Sequence, residues 1–253
     1  MNNTADYPVN KLAEWISESE RIVFFGGAGI STESGIPDFR SAAGLYQTET
    51  NSPYSPEEIL SRSFFDKHPE VFFDFYRTKM LHPSAQPNAA HRLLAKLEDA
   101  GKLDAIVTQN IDGLHQSAGS RNVLELHGSV HRNYCMKCRT FHSLQEVIDA
   151  PGPVPLCRNC GGIVKPDVVL YGENLHDETI AGSIQAIRGA DLLIIGGTSL
   201  TVYPAAQFVD YFRGNRTVLI NIAQTGYDSR AGLLITEPIG QVCETVSRRL
   251  SLG

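Results

Sequence analysis

Cys135-Met136-Lys137-Cys138 and Cys157-Arg158-Asn159-Cys160 arrange four thiols as two Cys-x2-Cys pairs separated by 18 residues. Each pair can place two thiolates on one metal from a tight turn, and the interval suits a short ribbon that brings the pairs together. This is the spacing of a tetrahedral Zn2+ site. The competing reading is a pair of disulfides. The chain opens on polar Met1-Asn2-Asn3-Thr4-Ala5-Asp6, and the stretch Lys11 to Ile22 is too short and too charged to be a signal peptide. A reducing cytoplasm is therefore the expected compartment, and there thiols hold metal. Four cysteine ligands leave no open coordination position, so the metal is expected to be structural. The chemistry must then lie elsewhere in the chain.

A second set of residues has phosphate-loop character. Gly27-Ala28-Gly29-Ile30-Ser31-Thr32-Glu33-Ser34-Gly35 follows the apolar run Ile22-Val23-Phe24-Phe25 and leads into Ile36-Pro37-Asp38-Phe39-Arg40. Missing side chains at Gly27 and Gly29 would let the backbone approach a pyrophosphate, and a following helical turn would offer it N–H groups. The usual dinucleotide fingerprint is broken, because Thr32 stands where a third small residue is expected. No acidic residue ends a second strand ~20 residues on to hold a ribose. An ordinary dehydrogenase is disfavoured on both counts.

The elements that must position these residues are written in apolar runs that end in polar clusters. Besides Ile22–Phe25 there are Ala105-Ile106-Val107 before Thr108-Gln109-Asn110, Leu192 to Ile195 before Gly196-Gly197-Thr198-Ser199, and Val218-Leu219-Ile220 before Asn221. Unbroken apolarity marks parallel strands covered on both faces, and the helical-period stretches Ala89 to Glu98 and Thr179 to Arg188 can do the covering. The fold class is α/β, with a Rossmann-like doubly wound parallel sheet and a smaller lobe made of a four-cysteine zinc ribbon and a helical insertion. Ligands of such sheets bind at the carboxyl ends of the strands, where the polar clusters converge. The expected large unit comprises residues 1–40, 88–128 and 165–253; residues 41–87 and 129–164 form the small one. Phe64, Phe65, Phe72, Phe73 and Phe75 in the insertion read as core. Cys243 reads as a small buried hydrophobe.

At 253 residues and 42% hydrophobic, the chain can bury a full core. No apolar run approaches ~18 residues, so no membrane partner is expected. A net charge of -6 argues against nucleic acid and fits a cationic peptide better.

With Gly27-Ala28-Gly29-Ile30-Ser31, Pro37-Asp38-Phe39-Arg40, Thr108-Gln109-Asn110-Ile111-Asp112, His127-Gly128, the two cysteine pairs and Gly197-Thr198-Ser199-Leu200 in this order, the sequence resembles the sirtuins over about residues 10 to 250. The resemblance implies an NAD-dependent protein-lysine deacylase. In that reaction the acyl oxygen of a modified lysine attacks the nicotinamide ribose, nicotinamide leaves, and the acyl group ends on ADP-ribose. It implies NAD as co-substrate, one structural Zn2+ held by Cys135, Cys138, Cys157 and Cys160, and acyl-lysine proteins or peptides as partners. It implies His127 as the catalytic base, a role that an imidazole titrating near neutrality suits. It implies Asn110 for the ribose and the hydrolytic water, and Ile111 and Asp112 for the nicotinamide amide, from whose NH2 an aspartate can accept.

The same resemblance assigns Gly27, Ala28, Gly29, Thr32, Phe39, Arg40 and Gln109 to the cofactor, with Phe39 shielding the reactive ribose carbon and Arg40 facing the pyrophosphate. Gly197, Thr198, Ser199, Asn221 and Ile222 fall to the adenine-side ribose, and Val242 to the adenine. His91 and His115 read as packing residues near the site, and the other histidines as surface. Val168, Val169, Tyr171, Gly172 and Glu173 match the segment that pairs with substrate peptide as an added strand. Family members that remove succinyl or malonyl groups carry Tyr-x-x-Arg in the insertion. Here Tyr76-Arg77-Thr78-Lys79 puts Lys79 at the arginine position, and a lysine lacks the bidentate fork. Tyr76 and Lys79 are thus assigned to the acyl group, and deacetylation is preferred. Desuccinylation through Arg77, long-chain deacylation and protein ADP-ribosylation stay open as alternatives. A monomer is expected.

Overall fold

The computed structural model describes residues 7–42, 44–47 and 52–251. Helix α1 (Tyr7–Glu18) leads into β1 (Ile22–Gly26), whose residues are all buried. Side chains alternate across a strand. Ile22 and Phe24 therefore enter one core with Leu12, Leu93 and Val246, while Val23 and Phe25 enter another with Ile187, Phe208 and Leu219. A strand covered on both faces has no polar side to show, which is why its sequence is an unbroken apolar run.

After β1 come short helices α2 (Pro56–Ile59), α3 (Arg62–Lys67) and α4 (Pro69–Phe75), the last continued by a π-turn at Tyr76–Met80. The chain then returns through α5 (Ala89–Asp99), β2 (Leu103–Thr108), α6 (Leu114–Ser117) and β3 (Val123–Glu125). Next follow β4 (Gly128–Cys135), β5 (Phe141–Ser143), α7 (Leu144–Ile148) and β6 (Val164–Val168). The closing elements are α8 (Asp177–Gly189), β7 (Leu192–Gly196), β8 (Arg216–Ile220), β9 (Leu233–Ile235) and α9 (Ile239–Arg249).

The large sheet has the order β3-β2-β1-β7-β8-β9 and every pairing in it is parallel. Strand order reverses between β1 and β7, whose last residues Gly26 and Gly196 lie side by side. A crevice must open there, because the connections leave toward opposite faces. The doubly wound parallel sheet expected from sequence is the one observed.

The small sheet is antiparallel, in the order β5-β4-β6. β6 belongs to it, so this sheet runs past residue 165, where the sequence reading returned to the large unit. Insertion and ribbon share one core in which Phe64, Phe65, Phe72, Phe73, Phe75 and Tyr76 meet Val130, Val147, Val164, Cys135 and Cys157. The phenylalanines read as core are core. Phe72 makes edge contacts with Phe65 and Phe73 at centroid distances of 4.9 and 5.2 Å, the arrangement aromatic quadrupoles favour.

Candidate active site

The crevice at the strand reversal is a cleft of about 970 Å³. Its floor is an interlock of two backbone turns. The Gly29 N–H donates to the Gly197 carbonyl at 2.8 Å, and Gly27 N–H donates to the Gly196 carbonyl at 3.2 Å. A Cβ on Gly29 would sit 2.8 Å from the Gly197 Cα, and one on Gly27 would sit 2.8 Å from Thr198 Cβ. The sequence reading attributed these glycines to a pyrophosphate. The structure gives them a nearer neighbour, the turn after β7. Nor is the following segment one helix: it is two three-residue 3-10 turns, Ala28–Ile30 and Thr32–Ser34. The amides of Ile30 and Ser31 are already taken by Gly27 and Ala28 carbonyls. Ala28, Thr32, Phe39 and Arg40 line the cleft beside this floor. Arg40 forms no ion pair among the described residues, and its guanidinium lies 5.6 Å from the Tyr46 ring centroid.

β2 delivers Gln109, Asn110, Ile111 and Asp112 to the same cleft, and the junction between β3 and β4 delivers His127. Gln109 donates through Nε2 to Thr198 Oγ1 at 3.0 Å, tying β2 to β7 across β1. Ser31 links the others: its hydroxyl donates to Asp112 Oδ2 at 2.7 Å and accepts from Asn110 Nδ2 at 3.1 Å. Ser31 stood in the glycine motif but was given no role from sequence; a hydroxyl between a carboxylate and an amide could only be found in three dimensions. Asn88, which caps α5, donates to the Ile30 carbonyl at 2.7 Å and so fixes the far side of that loop.

His127 is half-buried. Its Nδ1 lies 2.9 Å from the Gln109 carbonyl, which can only accept, so Nδ1 carries the proton and Nε2 has the free lone pair. Burial lowers its pKa below the ordinary histidine value, and the bond to Gln109 opposes this in part. The backbone at His127 is held from both sides. Its carbonyl accepts from Val169 N–H at 3.0 Å, and Gly128 follows at φ +75° with no room for a Cβ against Asp167. His91 and His115 pack with ring centroids 4.8 Å apart, and desolvation lowers both; His91 falls to about 4. Their reading as buried packing residues matches their positions. Of the histidines read as surface, one is not, and one that is exposed also reaches the cleft. His142 is buried in the small lobe, and His131 lines the cleft, donating through Nε2 to the Asp112 carbonyl at 3.1 Å.

Val168, Val169, Tyr171, Gly172 and Glu173 also line the cleft, as do Gly197, Thr198, Ser199, Asn221 and Ile222. The segment after Val168 is less of a strand than expected. Tyr171 makes one parallel bridge to Ser61, with its N–H on Leu60 and its carbonyl taking the Arg62 N–H at 2.9 Å. Glu173 accepts from Arg62 at 2.9 Å and from Lys165 at 3.1 Å, which with the Leu170 N–H outweighs burial and lowers its pKa.

Two assigned residues do not join the others. Tyr76 is 1% exposed, stacked on Phe72 at 5.6 Å, and lies outside the cleft, whereas Lys79 lines it. Val242 is 1% exposed in the core beneath α9, and Glu237, Pro238 and Ile239 line the cleft in its place. Arg77 is also engaged elsewhere, donating to the carbonyls of Gly152, Pro153 and Val147 in the ribbon.

The four cysteine sulfurs all lie within 4.8 Å of one another, with Cys135–Cys160 at 3.4 Å and Cys138–Cys157 at 3.6 Å. Bonds of ~2.3 Å to a tetrahedral zinc separate sulfurs by roughly 3.8 Å, so the cluster fits that ion with little adjustment. Amides of Lys137 and Cys138 point at Cys135 Sγ, and that of Asn159 at Cys157 Sγ, each at 3.4 Å, donors that stabilise thiolate charge.

A family model described as the Sir2 family matches residues 27–204. A Clostridium acetobutylicum protein named NAD-dependent protein deacetylase is 60% identical over 238 residues, covering 94% of this chain and 97% of its own. A protein of the same name from Cutibacterium acnes is 57% identical over 238 residues, with coverage of 94% and 97%. Among solved structures, one described as "Sir2-p53 peptide-NAD+" superposes with a TM-score of 0.86 at 37% identity, covering 97% of this chain and 99% of that one. Another, "Sir2 bound to acetylated peptide", gives 0.84 at 35% identity, with coverage of 97% and 99%.

Proposed function

The chain belongs to the Sir2 family and is an NAD-dependent protein deacetylase, and on that premise we propose that His127 is its general base and that the cleft divides between NAD and acyl-lysine. When bound, NAD supplies an activated ribose carbon with nicotinamide as leaving group, and the acyl group passes to ADP-ribose. The observation that carries the assignment is the Nδ1 bond of His127 to the Gln109 carbonyl at 2.9 Å, because it fixes the tautomer whose Nε2 can take a proton. Half-burial keeps that nitrogen unprotonated at neutral pH. Asp112, oriented by Ser31 and by the Leu114 N–H at 2.9 Å, offers a carboxylate to the nicotinamide amide. Asn110, held by Ser31, is placed for the ribose and the water. Arg40 faces the pyrophosphate and Phe39 the ribose. Gly197, Thr198, Ser199, Asn221 and Ile222 accommodate the adenosine half, now with Glu237 and Pro238 in the place given to Val242.

Acetyl is the acyl group this reading favours. Of the described residues lining the cleft only Arg40 and Lys79 are arginine or lysine, and Arg77 is committed to three ribbon carbonyls. No guanidinium from the described part of the insertion is therefore offered to a distal carboxylate. Phe64, Phe65, Phe72 and Phe73 are packed in the small-lobe core and do not line the cleft, so none of the four is offered to a long acyl chain. The Zn2+ held by Cys135, Cys138, Cys157 and Cys160 shapes the peptide side of the cleft and takes no part in the reaction. Residues 1–40, 88–128 and the part of the chain beyond β6 are taken as the large unit, with insertion and ribbon as the small one. No helix among the described residues is long and apolar enough to cross a membrane, and four metal-holding thiols suit a reducing cytoplasm.

The test is His127→Tyr with an acetyl-lysine peptide and NAD, reading peptide mass and free nicotinamide together. The variant should keep the fold and lose deacetylation by at least ~10²-fold, the usual contribution of general base catalysis. Unchanged turnover would remove His127 from the mechanism. ADP-ribose mass on the peptide or protein with acetyl retained would favour the transferase.

A further inference from the structure

Two phenols from distant parts of the chain meet in the lining of the cleft. Tyr46 and Tyr171 are 125 residues apart, both line the cleft, and their hydroxyls are 2.6 Å from each other. Each phenol is attached to a different half of the site. Tyr46 is bound to the cofactor segment three ways: its N–H donates to the Phe39 carbonyl at 2.9 Å, its ring meets the Phe39 ring edge-on at 5.4 Å, and the Arg40 guanidinium lies over it at 5.6 Å. Tyr171 belongs to the peptide wall, two residues beyond Val169, whose N–H holds the His127 carbonyl.

The backbone of Tyr171 is not free to respond to a ligand. Its N–H and carbonyl are both committed to the insertion, at Leu60 and Arg62. The residue is 43% exposed, and with its backbone groups bonded the ring is the part that a bound peptide would cover. Covering it excludes water from the hydroxyl pair, and a hydrogen bond gains strength as the local dielectric falls. The partner on the other side of that bond is the residue that holds Phe39 and Arg40.

We infer that the Tyr46–Tyr171 hydroxyl pair couples the two substrates, making NAD bind more tightly once acyl-lysine peptide is in place and the peptide more tightly once NAD is in place. The two are positioning residues: neither needs to touch the reacting atoms. The inference rests on the division of the cleft proposed above. Linkage makes the coupling reciprocal, and because the bond already exists without ligand its strengthening is bounded by the ordinary net strength of one neutral hydrogen bond, a factor of at most about fivefold.

The experiment measures the dissociation constant of carba-NAD, which cannot lose nicotinamide, with and without saturating acetyl-lysine peptide, by titration calorimetry. It is run on the full chain, Tyr46→Phe, Tyr171→Phe and the double variant, each loaded with zinc. The wild-type ratio of the two constants should exceed that of either single variant, by up to about fivefold, the whole strength of one neutral hydrogen bond. The double variant should match the singles, because all three lack the same bond. Coupling retained in either single variant, a further loss in the double, or no coupling in the wild type overturns the inference. A fall in carba-NAD affinity for Tyr46→Phe that is equally large without peptide makes Tyr46 merely structural and overturns it too. A wild-type protein that binds carba-NAD but not the peptide, or neither, removes the division of the cleft itself, and the binary titrations show which half failed.

Discussion

Replacing Arg77 with alanine separates two roles that sequence alone left open. In the structure its guanidinium donates to three carbonyls, Gly152 at 3.2 Å, Pro153 at 3.0 Å and Val147 at 3.3 Å, and lies 5.8 Å from the Phe73 ring centroid. Hydrogen bonds to a charged group are worth ~1.5–3 kcal/mol each, but at a half-buried site sharing one side chain their sum is closer to roughly 3 kcal/mol. At this chain length ~2–4 °C accompanies each kcal/mol, so the melting temperature should fall by about 6–12 °C. Arg77 sits in the π-turn that carries Lys79 and Met80 into the cleft. Loosening it should therefore slow removal of acetyl and succinyl groups alike. Arg77→Lys should recover part of the loss, since an ammonium cannot reach all three carbonyls from one position. Thermal unfolding and a paired assay on acetyl- and succinyl-lysine peptides decide the matter. A variant with unchanged melting temperature and a selective loss of succinyl turnover would refute the structural role and restore Arg77 as a carboxylate ligand.

Stripping zinc with a chelator, or Cys135→Ala, should unfold the ribbon and abolish peptide-dependent activity while the large sheet keeps its circular dichroism; full activity without metal, checked by elemental analysis, would contradict this. In the pH profile of kcat/KM, activity should be flat above the ordinary histidine value of about 6.5 and fall with unit slope only below it, because burial lowers His127 and the neutral form is the base. Stability should follow the same direction: His91, His115 and His127 are all depressed, the unfolded chain binds more protons below pH ~6.5, and stability is lost as pH falls from there through about 4, the value for His91, as acid unfolding can show. Gly29→Ala should cost ~1–3 kcal/mol of overpacking between the turns after β1 and β7, with carba-NAD affinity falling in parallel; an unchanged melting temperature would mean that the turns have slack the distances do not show.

What could be read from sequence was what short-range physics writes into it. The strands were legible because a strand covered on both faces is apolar throughout, and Ile22, Val23, Phe24 and Phe25 divide between two cores. The metal site was legible because two thiols from one turn require a fixed spacing. Tyr76 was not, because the assignment carried over a Tyr-x-x-Arg pattern from other members of the family, and in this chain the segment Tyr76–Met80 is a π-turn. Tyr76 stays with Phe72 in the core while Lys79 turns into the cleft. Val242 failed for a related reason: α9 begins at Ile239, and by its first turn Val242 already faces the core. Ser31 and Tyr46 acquire their roles only from partners 81 and 125 residues away, a distance at which sequence carries no local signal.

Strand β4 starts one residue after His127 and ends on the metal ligand Cys135. Its two ends pair with Val168 and Val164 of β6, four strand steps apart, with a bulge between Ser129 and Asn133 taking up the extra residues, so it forms a beam of roughly 13 Å with the chemistry fastened at one end and the zinc at the other. The segments beyond Cys135 carry exposed Met136, Phe141 and Leu156 and are tied back just before β6 by the Met136 N–H donating to the Ile163 carbonyl at 2.9 Å. The outer ribbon is thus a cassette plugged into the end of a strut. Its exposed side chains can be rewritten without disturbing the reacting centre, as long as both ends of the beam keep their anchors and the carbonyls of Val147, Gly152 and Pro153 keep Arg77.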